Sequence, residues 1–468
     1  MKRERAVGPR TAGVADFSEG SVIKNTLSLA VPLTMAQLIN LLYNMVDRMY
    51  IGRIPVVGKT ALTGLGLCFP IITMVSAFAQ LFGYGGSPLF SMERGKHHEE
   101  EAGRIMASSF AMLVLGGAAL TVIGFLFYEP ILYAFGASAE TFPYARDYIL
   151  IYLIGTVCVM ISLGMNGFIN AQGFGTTGML TVALGAAVNI ALDPLFIFVL
   201  KMGAKGAALA TVLSQFLSML WVLRFLTGRK ALIRLERRYM KLEGRRCGKI
   251  IALGLTGFVA GFTNSAVQVA CNANLARYGG DLYVGVMTIL NSVREIISMP
   301  VQGLSQGAMP VMSYNYGAEK YQKVRECIRF ITVACVVYTS LMWVLLERFP
   351  EFFIRIFNSE PDLIAAGAQG MHLYFWGIFM MSFQFAGQNV FVSLGKAKEA
   401  VFFSTFRKLI IVVPLTYLLP RLWNLGVNGV YIAEPVSNFV GGAACYITML
   451  LTVYPELLGR GRGRKERS

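Results

Sequence analysis

QLFGYGGSPLFSMERG, residues 80–95, returns later in the chain as QGLSQGAMPVMSYNYG, residues 302–317. Gln80, Gly85, Pro88, Ser91 and Gly95 are matched by Gln302, Gly307, Pro310, Ser313 and Gly317 at one offset of 222 residues. Ala30, Leu33 and Thr34 meet Ala252, Leu255 and Thr256 at the same offset, and Gly173 meets Gly395. Near the end of each half, GAKG at 203–206 answers GVNG at 426–429, now at 223. A register held over most of a half-chain marks a duplication, with halves of roughly 1–230 and 231–468.

The repeated material is membrane-like. Hydrophobic residues make up 55% of the 468-residue chain and charged residues only 15%, with a mean hydropathy of +0.57. A soluble domain carries about 25% charge. A spanning helix needs roughly 20 mainly apolar residues, and about twelve such blocks follow one another. In the first half they fall at 28–52, 61–91, 105–127, 146–169, 178–200 and 204–226. In the second they fall at 250–276, 282–314, 328–346, 364–394, 400–420 and 426–454. The expected fold is therefore an all-α integral membrane bundle of twelve transmembrane helices. Six helices per half is an even number, so the halves enter the membrane in the same sense, as parallel repeats.

The net charge of +16 raises the question of nucleic acid, but its placement points elsewhere. Lys and Arg crowd before the first block and into 92–104, 224–249, 320–329 and the end from Arg460. The intervening loops are poorer in them. Such a bias sets orientation in a bilayer and puts both termini in the cytoplasm, with the plasma membrane as the expected location. The opening MKRER resembles the basic end of a signal peptide, but the apolar run after it is too long for one. The expected organisation is a cytoplasmic segment 1–24, a first lobe 25–230, a basic linker 231–249, a second lobe 250–455 and a basic tail 456–468.

Other chemistries find little support. The seven cysteines are scattered without a CxxC, so neither a disulfide framework nor a zinc site is indicated. Gly58-Lys59-Thr60 resembles the end of a P-loop with the wrong glycine spacing. His97 and His98 with Glu99–Glu101 read as a solvated loop. There is no serine elbow and no HExxH, so no enzyme is expected and no cofactor is implied.

Ionisable side chains inside hydrocarbon are costly and become functional candidates by default. Asp193 lies in NIALDP with Asn189 one turn earlier on the same face. Pro194 frees the carbonyl of Ile190. A carboxylate, an amide oxygen and a free carbonyl suit a proton or Na⁺, and one acid can hold either a small ion or a cationic substrate. Asp47 shares a helix face with Tyr43 and Asn40. Pro32, four turns before Asp47, is the candidate hinge. Arg294, Glu295, Arg407, Lys408 and Glu434 populate the second half. Most read as buried pairs fixing the bundle, with Glu434 beside Pro435 the exception that could meet substrate. Tyr43, Tyr148 and Tyr152 could pack on a planar cation.

The chain resembles the multidrug and toxic compound extrusion (MATE) family, and within it the MepA-like, DinF-related branch. The resemblance covers nearly all of residues 20–454. It is carried by Pro32 with YNMVDRMYIG at 43–52, ALTGLGLCFP at 61–70, GYGGSPLFSMERG at 83–95 and NGFINAQG at 166–173. NIALDP at 189–194, MGAKGAALATVLSQ at 202–215 and GLSQGAMPVMSYNYGA at 303–318 complete it. It implies a V-shaped pair of six-helix lobes and efflux of organic cations in exchange for H⁺ or Na⁺ by a monomer. The family's first-lobe site falls on Asp47, Asn189, Asp193 and Thr211 for ion coupling. Substrate contacts fall on Asn40, Tyr43, Tyr148 and Asn166, with Glu434 added from the second lobe. If the coupling ion is Na⁺, Asp47, Asn189 and Asp193 would hold it; no other metal is implied. Other branches carry acids on helices seven and ten, and this chain has none there, which places coupling in the first lobe. The alternative is a lipid-linked saccharide flippase of the same superfamily, with Arg294 and Arg407 holding pyrophosphate.

Overall fold

The computed structural model describes residues 15–54, 58–358 and 360–465. The MKRER start and residues 466–468 lie outside the described residues. The first half comprises α1 (Val22–Gly52), α2 (Gly58–Gly95), α3 (Glu99–Ala134), α4 (Phe142–Ile154), α5 (Thr156–Ala171), α6 (Gly175–Pro194) and α7 (Ala204–Thr227). The second comprises α8 (Gly244–Gly279), α9 (Asp281–Gly317), α10 (Tyr321–Arg348), α11 (Pro350–Arg355) and α12 (Pro361–Phe375). It ends with α13 (Met380–Ser393), α14 (Ala397–Thr405), α15 (Val413–Leu418) and α16 (Val427–Lys465).

Among the described residues, ten helices are each long and apolar enough to cross a bilayer. The fourth expected span is α4 with α5, bent by 58° around Gly155. The block at 364–394 arrives as two helices, α12 and α13. The chain parts them at 376–379, where Gly377 takes a φ of +75° beneath the Phe439 ring. α16 runs on to Lys465, so the residues expected as the basic tail from 456 are helical as far as that.

The repeat explains its own glycines. Gly173 and Gly395, its matched pair, have φ of +95° and +74°, and each turns the chain from one helix into the next. Gly203 and Gly426 do the same at +57° and +53°. These are backbone shapes that L side chains avoid.

Gly206 and Gly429 lie against backbone within their own lobes, at Phe196 and at Leu419, whereas Gly85, Gly95, Gly307 and Gly317 lie on the seam between the lobes, where α1 packs along α9 and α2 along α8 and α9. A Cβ on Gly95 would strike the Tyr314 carbonyl, and one on Gly317 would strike the Met92 carbonyl. Residues 92 and 314 are themselves 222 apart, so the two contacts are exchanged by a pseudo-two-fold axis. Gly85 lies against Ile250 and Gly254, and Gly307 against Ala30. Backbones approach this closely only where side chains are absent. Gly95→Leu should therefore wedge the seam apart. Overpacking costs about 1–3 kcal/mol, enough to cut export roughly tenfold in a vesicle assay. Gly66→Leu, at a position with open space around it, should export normally; equal rates for the two variants would contradict this reading of the seam.

Several cross-links at the basic end sit near this seam. Phe17 is buried against Tyr314, and the Arg94 guanidinium lies 5.7 and 5.5 Å from those two ring centroids. Arg94 also donates to the Ala171 carbonyl at 2.5 Å. Ala15 N–H donates to the Gly173 carbonyl in the first lobe, while Lys320 and Lys323 of the second donate to the Ser18 carbonyl at 2.7 and 2.9 Å. Residues 15–20 thus stitch both lobes together. Farther along the helices, polar side chains are exposed at bilayer depth: Asn40 on α1, Thr73 on α2, Asn264 and Gln268 on α8, and Glu295 on α9. Lipid does not satisfy such groups, which fits water reaching these faces between the lobes.

Candidate functional site

The first lobe brings together two acids that lie far apart in the chain. α1 and α6 pack side by side, and the carboxyls of Asp47 and Asp193 come within side-chain hydrogen-bonding reach of each other. Asp193 is fully buried, Asn189 nearly so, and Asp47 is 9% exposed. Asn189 Nδ2 donates to Asp193 Oδ1 at 3.4 Å and to Thr211 Oγ1 at 3.5 Å, both long bonds. The helical spacing of four residues sets the first contact, and α7 supplies the second.

Three oxygens of this cluster are buried with no hydrogen-bond partner: Asp47 Oδ1, Asp193 Oδ2 and Asn189 Oδ1. All three only accept. Two carboxylates this close cannot both stay charged without a proton or cation between them. The cluster is therefore short of positive charge by construction. Arg48 acts on Asp47 only through space, its guanidinium lying over the Phe69 ring at 4.6 Å. α6 itself gives way to a π-helical turn, Leu195–Val199, directly after Pro194, the kind of local unwinding found at functional positions.

Aromatic rings wall the acids. Tyr148 and Tyr152, both buried, stack with centroids 6.3 Å apart. The Tyr148 hydroxyl is within bonding reach of Thr211, and Tyr43 lies close enough to Asp47 and Asp193 to feel both charges. Two expected substrate contacts stand apart from this group. Asn166 donates to the Gly178 carbonyl at 3.2 Å. Gly178 lies 15 residues before Asp193 on α6, about 22 Å along the axis. Asn166 thus belongs to the basic end, not to the acid cluster. Asn40 lies two turns, about 10 Å, before Asp47 and is exposed, so it meets the cleft instead of the acids. Pro32 falls where α1 crosses α9, between Ala30 against Gly307 and Thr34 against Gly303. Its helix is continuous through it.

The second lobe differs in sign. Glu434 Oε1 accepts from Arg294 Nη1 at 3.1 Å, Arg407 Nη1 at 3.1 Å and Lys408 Nζ at 2.9 Å. Arg407 Nη1 also donates to Asn438 Oδ1 at 2.8 Å. Neighbouring Arg407 and Lys408 can both reach Glu434 because they sit in a π-helical turn, Phe406–Val412, whose wider winding brings consecutive side chains nearer one face. The expected pairing among these residues is present. Glu434, named as a substrate contact, already has three cations on one of its oxygens, which leaves a cationic substrate nothing to neutralise. Glu295 stands outside the group, exposed on α9. Asn438 escaped the sequence reading because a lone buried amide carries no signal of its own.

A family model described as MatE matches residues 32–195 and again 258–418, once in each half. The multidrug export protein MepA of Staphylococcus haemolyticus (strain JCSC1435) is 23% identical over 428 residues, covering 91% of this chain and 93% of that one. A protein named FAD transporter, from Shewanella oneidensis, is 22% identical and covers 90% and 92%. Among solved structures, a multidrug resistance MATE family transporter in an outward-facing conformation superposes with a TM-score of 0.88 at 20% identity, over 97% of this chain and 99% of that one. A MATE in a bent conformation reaches 0.90 at 21% identity, with the same coverage.

Proposed function

The chain belongs to the MatE family of membrane transporters, and on that premise we propose that it is a secondary antiporter exporting organic cations in exchange for H⁺ or Na⁺. The observation that carries this reading is the buried Asp47–Asp193 pair with its three unpartnered acceptor oxygens. Such a pair takes one positive charge readily and two poorly. A small ion and a cationic substrate therefore compete for it, and competition for one site couples their movements in opposite directions. Thr211 and Asn189 orient the acids, and Tyr43, Tyr148 and Tyr152 offer π faces to a planar cation. The seam at the basic end closes the cleft on that side, which suits loading of the ion from the other. With the basic side cytoplasmic, this is ion entry from outside the plasma membrane. Ion loading then repacks α1 about Pro32, and the displaced substrate leaves outward.

The relative named MepA is a multidrug export protein, which fits a broad substrate range for this chain as well. The test is dye export from proteoliposomes under an imposed pH gradient and, separately, an imposed Na⁺ gradient. Ethidium movement driven by at least one gradient is expected. No driven movement under either, with correctly inserted protein, would refute antiport.

A further inference from the structure

We propose that the second lobe contains a binding site for an anionic group, a phosphate or carboxylate, formed by Arg294, Arg407 and Lys408. The charges there do not balance. Three basic side chains share one carboxylate, and all three bond the same oxygen, Glu434 Oε1. Even with Lys408 neutral, one positive charge is in excess. A network that served only to fix the bundle would be complete with one ion pair. Each additional buried cation costs several kcal/mol unless something offsets it. The other groups facing the cluster carry no countercharge: the Tyr374 hydroxyl donates to Asn291 Oδ1 at 3.1 Å, and Cys271 sits by the Thr416 hydroxyl.

The site is also reachable. Arg407 and Lys408 side chains are 10% and 7% exposed, whereas that of Arg294 is 29% exposed. Arg294, on α9, is the most exposed of the three and so the one a ligand would meet first. Guanidinium groups suit the fork of a phosphate or carboxylate. The duplication adds a second, independent observation. At the offset of 223 that holds near the ends of the halves, Glu434 occupies the place of Thr211. The two lobes therefore present related sites of opposite sign across one cleft. A solute with a cationic and an anionic end can be held by both lobes. This inference does not depend on the cation–ion competition proposed above.

The test uses full-length protein in phosphatidylcholine nanodiscs and two flavins that differ by one phosphate, riboflavin 5′-phosphate and riboflavin, read by fluorescence polarisation. The phosphate form should bind about tenfold more tightly or better. Arg294→Gln and Arg407→Gln, checked for folding by size exclusion, should each erase that preference. A companion measurement asks whether the anion comes from the bilayer. Native mass spectrometry of protein in mixed phosphatidylglycerol and phosphatidylcholine should show retained phosphatidylglycerol if a lipid headgroup fills the site, with flavin phosphate displaced by it. If the ligand is a soluble solute, flavin phosphate binding should be indifferent to phosphatidylglycerol. Equal affinity for the two flavins without phosphatidylglycerol retention would overturn the proposal. So would a preference undiminished in both arginine variants. Should the variants not fold, the wild-type comparison decides alone.

Discussion

Asp193→Asn should bring export of ethidium to background while leaving the protein folded and in the membrane. The amide keeps the shape of the carboxyl and can donate toward Asp47, so packing in this fully buried position is preserved. What disappears is the second negative charge, and with it the site's need for a cation. A charge-assisted contact is worth about 2 kcal/mol, or roughly 30-fold in flux. Asp47→Asn should act in the same direction, more weakly, since Asp47 is the more exposed of the two. Transport measured in inverted vesicles at matched expression decides it. Wild-type efflux by Asp193→Asn would remove the acid pair from the coupling mechanism.

The second large effect lies in the other lobe. Glu434→Ala should lose about 3–5 kcal/mol of stability, seen as a melting temperature lower by roughly 10 °C in detergent. The reason is the state left behind: Arg294, Arg407 and Lys408 would face one another with no carboxylate between them. Removing one of the stranded cations should then restore stability. Glu434→Ala with Lys408→Met is expected to melt higher than Glu434→Ala alone, a non-additivity that a double-mutant cycle measures. If the two changes simply add, the four residues are not energetically one cluster.

Much of the architecture was legible before any coordinates. Hydropathy placed the blocks because a spanning helix must satisfy its backbone within itself and be apolar over its length. Both requirements are local to the chain. The repeat was legible for the same reason, and most of its glycines proved to be positions where the backbone turns left-handed or the lobes touch. The pairing of Asn189 with Asp193 follows from helical periodicity alone. The break of the tenth block into α12 and α13 was not foreseen, because Gly377 takes its left-handed turn beneath Phe439, more than 60 residues away in sequence.

By itself, then, the sequence determined a duplicated bundle of spans, its basic side, and which few side chains carry charge inside it. Tertiary structure alone decided their company. Asp47 meets Asp193 because α1 and α6 are rotated toward each other, and Asn166, on the same motif-bearing lobe, ends near Gly178 instead. Arg294, Arg407, Lys408 and Glu434 converge from three helices to leave a positive excess that no linear pattern displays. Periodicity tells which residues share a face of one helix, whereas the facing of one helix to another is set by how their surfaces pack.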